Sequence, residues 1–275
     1  MISKGTSHEK HQRIESLTVE WKVAGVSEGD MLLLQSNIIR TLLRTGNMLN
    51  PADVLQSFLN ALGSKGTLLL PLFNFDFAKG IPFDIRNTVS RMGSLTEAGR
   101  KYPGAVRTGH PMASFAAIGY DAGLFENLNN YSAYGSESPL AILKENNGKL
   151  SVLDLEDQDG MTFYHHVEEV AEVDYRYYKS FTGQYITYDG TTEVREYGFY
   201  VRNLDLQVEN QFNPMGELLW AEGLYKGFKP FQGCGLRTVY SKDVFDKTME
   251  VIKNGEATKY LMSYGKLNGN AQGKQ

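Results

Sequence analysis

The chain has 275 residues, 41% of them hydrophobic and 22% charged, with 28 Lys plus Arg against 32 Asp plus Glu for a formal net charge of −4. These are globular values and argue against a disordered chain. The slightly acidic balance offers no broad positive field for a phosphate backbone. The single cysteine, Cys234, excludes an intramolecular disulfide and a thiolate-rich zinc site. Apolar runs fall far short of the roughly 20 residues that cross a bilayer. The polar stretch from Met1 to Arg13 does not read as a signal peptide. A soluble cytoplasmic protein with no nucleic-acid and no membrane partner is expected.

No Pro/Gly/Ser linker divides the chain, so one domain over 1–275 is expected, with 1–12 and 268–275 loose. Residues 14–24 read as a helix of weak periodicity. Residues 31–34 form a short apolar run, as in a strand buried on both faces. Asn50-Pro51 opens a helix, with Asn50 as N-cap and Pro51 in the first turn. Its stripe is Val54, Leu55, Phe58, Leu59 and Leu62, and Gly63 ends it. Residues 68–72 are a second buried strand, so the strand–helix–strand order predicts a parallel pair. A short helix at 96–102, strands at 114–118 and 150–155, and a helix at 162–173 follow. Residues 185–188, Asp189-Gly190 and 193–201 carry the pattern of a hairpin with a type I′ turn. An amphipathic helix at 243–252 comes last. The predicted class is α/β, with a mixed, partly antiparallel sheet.

The strongest chemical candidate is the segment Thr162-Phe-Tyr-His165-His166-Val-Glu168-Glu169. On a helix, His165 and Glu168 share a face, and a carboxylate beside an imidazole raises its pKa and orients it as a general base. A solvated helix with satisfied histidines is the competing reading. The spacing lacks the two-histidine geometry of zinc-binding helices, so no metal is expected. Asp76 follows a buried strand, where it could receive a cationic amine or simply cap a loop. Gln35-Ser36-Asn37 follows the first strand and could offer donors to a phosphate or simply turn the chain. Arg91 and Arg107 could hold anionic groups, whereas His110, before a proline, reads as structural. Tyr175, Tyr177 and Tyr178 read as core packing. No Gly-x-Ser-x-Gly, Gly-x-Gly-x-x-Gly or phosphate-loop motif occurs.

Taken in order, these segments resemble the aminoglycoside 3-N-acetyltransferase family. The pieces are Leu-Leu-Leu-Gln-Ser-Asn (32–37), Gly-Thr-Leu-Leu-Leu-Pro-Leu-Phe (66–73), Pro-Phe-Asp (82–84) and Ser-Arg-Met-Gly-Ser-Leu (90–95). They continue with Tyr-Pro-Gly-Ala-Val-Arg-Thr-Gly-His-Pro (102–111), Ser-Phe-Ala-Ala-Ile-Gly (114–119), Gly-Ser-Glu-Ser-Pro-Leu (135–140), Gly-Lys-Leu (148–150) and Thr-Phe-Tyr-His-His-Val-Glu (162–168). The likeness is good over 14–180 and loose beyond. It implies a three-layer α/β/α fold and acyl transfer from acetyl-CoA or another acyl-CoA to a small-molecule amine, without metal or acyl-enzyme. It implies that His165 is the base, with Thr162 near the thioester carbonyl; Glu168, Glu169 or a later-strand glutamate, loosely Glu196, is left to orient the imidazole. It places the coenzyme at Gln35, Ser36, Asn37 and Ser114, with Arg91 and Arg107 as candidate phosphate ligands. Asp76 matches the acceptor-pocket aspartate; Asp159 and Glu196 are further acceptor-side candidates. A homodimer is left open.

The departures bear on the acceptor. The family's His-Ser-Ser is here Gln35-Ser36-Asn37, its Asn before the catalytic stretch is Met161, and its later-strand glutamate falls loosely on Glu196. An amino sugar, free or nucleotide-linked as in surface-polysaccharide pathways, is therefore expected over an aminoglycoside. The acidic residues Asp154, Glu156, Asp157 and Asp159 keep a polycationic drug in view. A non-catalytic binding protein of the same fold is the third reading.

Overall fold

The computed structural model describes residues 7–265. In chain order the elements are α1 (Ser7–Val23), β1 (Met31–Ser36), α2 (Ile39–Arg44), α3 (Pro51–Leu62), β2 (Thr67–Pro71), β3 (Phe83–Asp84), α4 (Ser94–Arg100), β4 (Val106–Arg107) and β5 (Phe115–Gly119). Then come α5 (Pro139–Glu145), β6 (Lys149–Leu153), α6 (Asp157–Gly160), α7 (Phe163–Val170), β7 (Arg176–Ile186), β8 (Thr192–Arg202) and β9 (Val208–Asn210). The last are α8 (Asn213–Ala221), β10 (Lys226–Gly227), β11 (Leu236–Tyr240), α9 (Ser241–Lys253), α10 (Ala257–Tyr260) and β12 (Met262–Tyr264).

Seven strands form the main sheet in the order β10-β11-β6-β1-β2-β5-β4. Only its centre is parallel, β1 lying between β2 and β6; β5 and β11 pair antiparallel on either side. β1 shows why the fold has three layers. Met31 and Leu33 enter one core with Phe115, Leu150 and Val167, whereas Leu32 and Leu34 enter another with Trp21, Val54 and Phe58. Alternate side chains of one strand thus point at helices on opposite faces, and a strand covered on both faces reads as an unbroken apolar run.

On one face, α3 packs beside α1. Asn50 accepts from the Ala52 and Asp53 N–H groups while Asp53 accepts from the Asn50 N–H, a capping box that fixes where α3 begins. Trp21 stacks on Phe58 at 4.6 Å and donates its indole N–H to Ser57 Oγ at 2.8 Å. That contact anchors α1, which starts at Ser7. Residues 7–12, expected to be loose, are therefore helical; the remainder of that expectation (1–6) and the tail 268–275 lie outside the described residues.

β7 and β8 form the long hairpin, joined to β3 in a separate three-stranded sheet. Its turn is not type I′. Asp189 stays out of the left-handed region, Gly190 alone adopts φ 90°, and the Gly190 N–H donates to Thr187 O at 3.0 Å. A four-residue turn, Thr187–Gly190, whose last residue is the left-handed glycine, closes the hairpin, an alternative that a Gly after Asp serves equally well.

Candidate active site

Two cavities have linings linked to the Thr162–His165 turn, the first through the Gln35–Thr162 hydrogen bond and the second through His165. The first, about 450 Å³, is a cleft beyond the C-terminal ends of β1 and β2, lined by Gln35, Ser36, Asn37, Pro71, Arg91 and Asp159 among others. Ligands commonly bind beyond this end of parallel strands. Ser36 Oγ is buried and makes no hydrogen bond within the described protein. Gly93, on the far wall, takes φ 113°, a conformation that a side chain would strain. Among the described residues Arg91 is the one cation lining this cleft, and its guanidinium is paired with Asp76 at 2.5 Å.

The second cavity, about 360 Å³, is lined by His165, Tyr134, Phe75 and residues of β7 and β8. The imidazole stacks on Tyr134 at 5.5 Å and meets Phe212 edge-on at 5.1 Å. Its Nδ1 lies 2.8 Å from Glu168 Oε2. A carboxylate accepts, so Nδ1 carries the proton and Nε2 the lone pair. Nε2 has no hydrogen-bond partner among the described residues. Glu168 is fully buried and held by Tyr175, whose hydroxyl donates to Oε1 at 3.0 Å, and by the Arg176 Nε at 2.9 Å. Burial works against its ionisation, but His165, Arg176 and Tyr175 outweigh it and hold the carboxyl below its usual range.

The expected rise of the His165 pKa is reversed. Burial disfavours the imidazolium first, and the Arg176 charge adds to that; Glu168 opposes both without overcoming them, so the pKa falls. The ring is neutral near pH 7 and able to accept a proton.

Thr162 lines neither cavity but is hydrogen-bonded to Gln35 of the first. It stands one helical turn before His165, and its Oγ1 accepts from Gln35 Nε2 at 2.5 Å while its N–H donates to Gln35 Oε1 at 3.2 Å. A backbone N–H can only donate, so the amide orientation is fixed and the threonine hydroxyl proton is directed elsewhere. Residue 35 of the cleft therefore sets the direction of a hydroxyl beside His165.

Other candidates fall elsewhere. Asp76 sits on the rim, bonded to Arg91 and, at 3.5 Å, to Lys79; the Arg91 hydrogen bond holds its pKa low. Asp159 lines the first cleft rather than the His165 cavity. Arg107 and Ser114 are not brought to the cleft. They are bonded to each other at 3.2 Å, with Arg107 also bonded to the Ile85 and Thr88 carbonyls and lining a separate cavity of about 480 Å³ with Tyr185 and Arg195. Glu196 is exposed on β8, bonded to Tyr131 and Thr182, so it does not support His165. Glu169 bonds Ser132 and Tyr178 instead. Of the acidic run, Asp157 is buried between Arg237, Tyr164 and Tyr225, and Asp154 is buried as well, so neither faces His165. Arg176 and Tyr175 carried no local signal as partners of Glu168. Among the described residues no cluster of three or more His, Cys, Asp or Glu could hold a metal ion, and no helix is long and apolar enough to cross a membrane.

Aminoglycoside N(3)-acetyltransferase IX of Micromonospora chalcea is 27% identical over 169 residues, which are 54% of this chain and 59% of that protein. The chain thus spans about three fifths of the length of that curated relative. The crystal structure of aminoglycoside acetyltransferase AAC(3)-Xa superposes with a TM-score of 0.73 at 22% identity, covering 91% of this chain and 96% of that one. The structure of AAC-IIIb with CoASH gives 0.71 at 21% identity, covering 88% and 96%. At these identities the likeness concerns the fold, an α/β architecture with a mixed sheet. The family model for aminoglycoside 3-N-acetyltransferase matches residues 42–253. The chain belongs to the aminoglycoside 3-N-acetyltransferase family.

Proposed function

We propose that this chain transfers an acetyl group from acetyl-CoA to a primary amine of an amino sugar, with His165 as general base. One observation carries the reading: a single turn of α7 presents Thr162 to the cleft through Gln35 and His165 to the second cavity. The thioester enters from the cleft side and the amine from the other. The amine nitrogen attacks the thioester carbonyl carbon and forms the C–N bond. His165 Nε2 takes the N–H proton, Glu168 stabilising the imidazolium through Nδ1–H. The developing oxyanion needs a fixed donor, and the Thr162 hydroxyl, its lone pair engaged by Gln35, is free to donate. The C–S bond breaks, and the thiolate takes the proton from His165. The residues of the cleft suit the donor: Ser36 offers an unused hydroxyl and Arg91 a guanidinium. Membership of the family, and the binding of CoASH by AAC-IIIb, support acetyl-CoA as that donor.

Isothermal titration of the purified chain with acetyl-CoA tests the donor side. Saturable binding at about one site per chain is the expected result; no binding at millimolar coenzyme would overturn the proposal.

A further inference from the structure

The lining of the His165 cavity has an unusual charge for a site that would receive a polycation. Among the described residues it contains three cations, Arg176, Lys179 and Arg202, and no carboxylate. Arg176 is paired with Glu168. Lys179 and Arg202 form no ion pair among the described residues; Arg202 reaches only the Val208 carbonyl at 3.5 Å, and Lys179 lies over the Phe181 ring at 5.3 Å. Three carboxylates near the cavity are engaged elsewhere. Asp76, next to lining residue Phe75, is bound by Arg91 and Lys79. Glu168 is buried behind the imidazole, and Asp157 is bound by Arg237. The walls between these cations are aromatic: Phe75 meets Phe199 at 5.8 Å, and Tyr134 meets Phe199 at 5.0 Å.

We infer that the acceptor is an amine bearing its own negative charge, a phosphate or a carboxylate, held by Arg202 and Lys179 while Phe75 and Phe199 pack its ring and its amino group meets His165. This rests on the acetyl-transfer reading and names the substrate class of that site. Guanidinium forks match phosphate and carboxylate oxygens in pairs, and aromatic walls suit the apolar face of a sugar or a base. The positive field also favours the neutral, nucleophilic form of the amine. A polycationic drug would meet like charges with no carboxylate to receive its ammonium groups.

The test is thiol release from acetyl-CoA with glucosamine, glucosamine 6-phosphate, glucosaminuronic acid and sisomicin, compared by kcat/KM. A charged amine should exceed glucosamine by about tenfold or more, the scale of one charge-assisted hydrogen bond. The two charged sugars separate a phosphate preference from a carboxylate preference. Arg202→Gln should bring the charged-to-neutral ratio to within about threefold, and Arg202→Lys should restore part of it. Sisomicin equal to or better than the charged sugars, or a ratio unmoved by Arg202→Gln, would overturn the inference and leave acetyl transfer standing. If no amine is acetylated, titration decides the charge question separately. Charged sugars binding about tenfold more weakly to Arg202→Gln than to the native chain would support the anion site and reject acetyl transfer; equal binding would reject the site.

Discussion

His165→Ala is expected to lower kcat for amine acetylation by about 10²–10⁴, the range that a positioned general base contributes. The argument rests on geometry. Nδ1–H is held by a buried carboxylate that is itself fixed by Tyr175 and Arg176, so the ring is locked with its basic nitrogen toward the cavity. Folding should survive the change, because the side chain is 18% exposed and lines a cavity rather than filling the core. Circular dichroism and an unchanged affinity for acetyl-CoA would confirm that only proton transfer is lost. The direction of the pKa shift adds a pH signature. Since burial and Arg176 hold the imidazole below 6.5, its own protonation should limit activity only on the acid side of that value. A loss of less than tenfold in a folded variant would remove His165 from this role.

The second large effect concerns stability in mild acid. His110 and His166 are fully buried, and burial pushes both down to about 4 from 6.5. Each is neutral for a visible reason. His110 Nδ1 accepts from the Met112 and Ala113 N–H groups at 3.3 and 3.0 Å, while Nε2 faces the Gly198 carbonyl. A proton on Nδ1 would oppose two donors. His166 donates from Nδ1 to Tyr134 O at 2.6 Å, and its buried Nε2 has no acceptor, so a second N–H there would go unpaired. A histidine whose pKa falls on folding stabilises the fold fully above its unfolded value. That contribution is lost as pH drops from about 6.5, and the loss ends below the folded value of about 4. At 1.36 kcal/mol per unit, each histidine contributes roughly 2 kcal/mol of loss by pH 5 and about 3 kcal/mol by pH 4. Glu169 works the other way, since burial raises its pKa and its protonation favours the folded state in acid. Denaturant unfolding at pH 7, 6 and 5 should therefore show a falling midpoint. A midpoint that is flat over this range would contradict the assignment.

The parts of the fold that the sequence displays are those in which neighbouring residues decide the outcome. Asn50 and Pro51 announce α3 because a cap is made between close neighbours in the chain. The buried strands announce themselves as apolar runs, but not which residue faces which layer, since both faces are covered. His165 and Glu168 are legible as a pair because they lie three apart on one helix. The sign of the His165 shift is set first by burial and then by Arg176, both products of tertiary packing, so it could not be read from the local carboxylate. The Gln35–Thr162 pair joins residues 127 apart and no periodicity connects them. Glu196 was a matter of alignment along a β-strand, where a shift of one residue moves a side chain to the other face. Arg107 and Ser114 carried suitable chemistry, but Arg107 is committed to Ser114 and to the Ile85 and Thr88 carbonyls, away from the Gln35 cleft.

The central claim is that the cleft at Gln35 and the cavity at His165, linked through Thr162, form one site for direct acetyl transfer. The measurement that tests it most directly is the mass of both amine and protein after incubation of the purified chain with acetyl-CoA and the four amines named above. One acetyl group added to an amine, dependent on His165, with the protein mass unchanged, is the predicted result. Acetyl carried on the protein, or acetyl-CoA bound while every amine is returned unmodified, would contradict it.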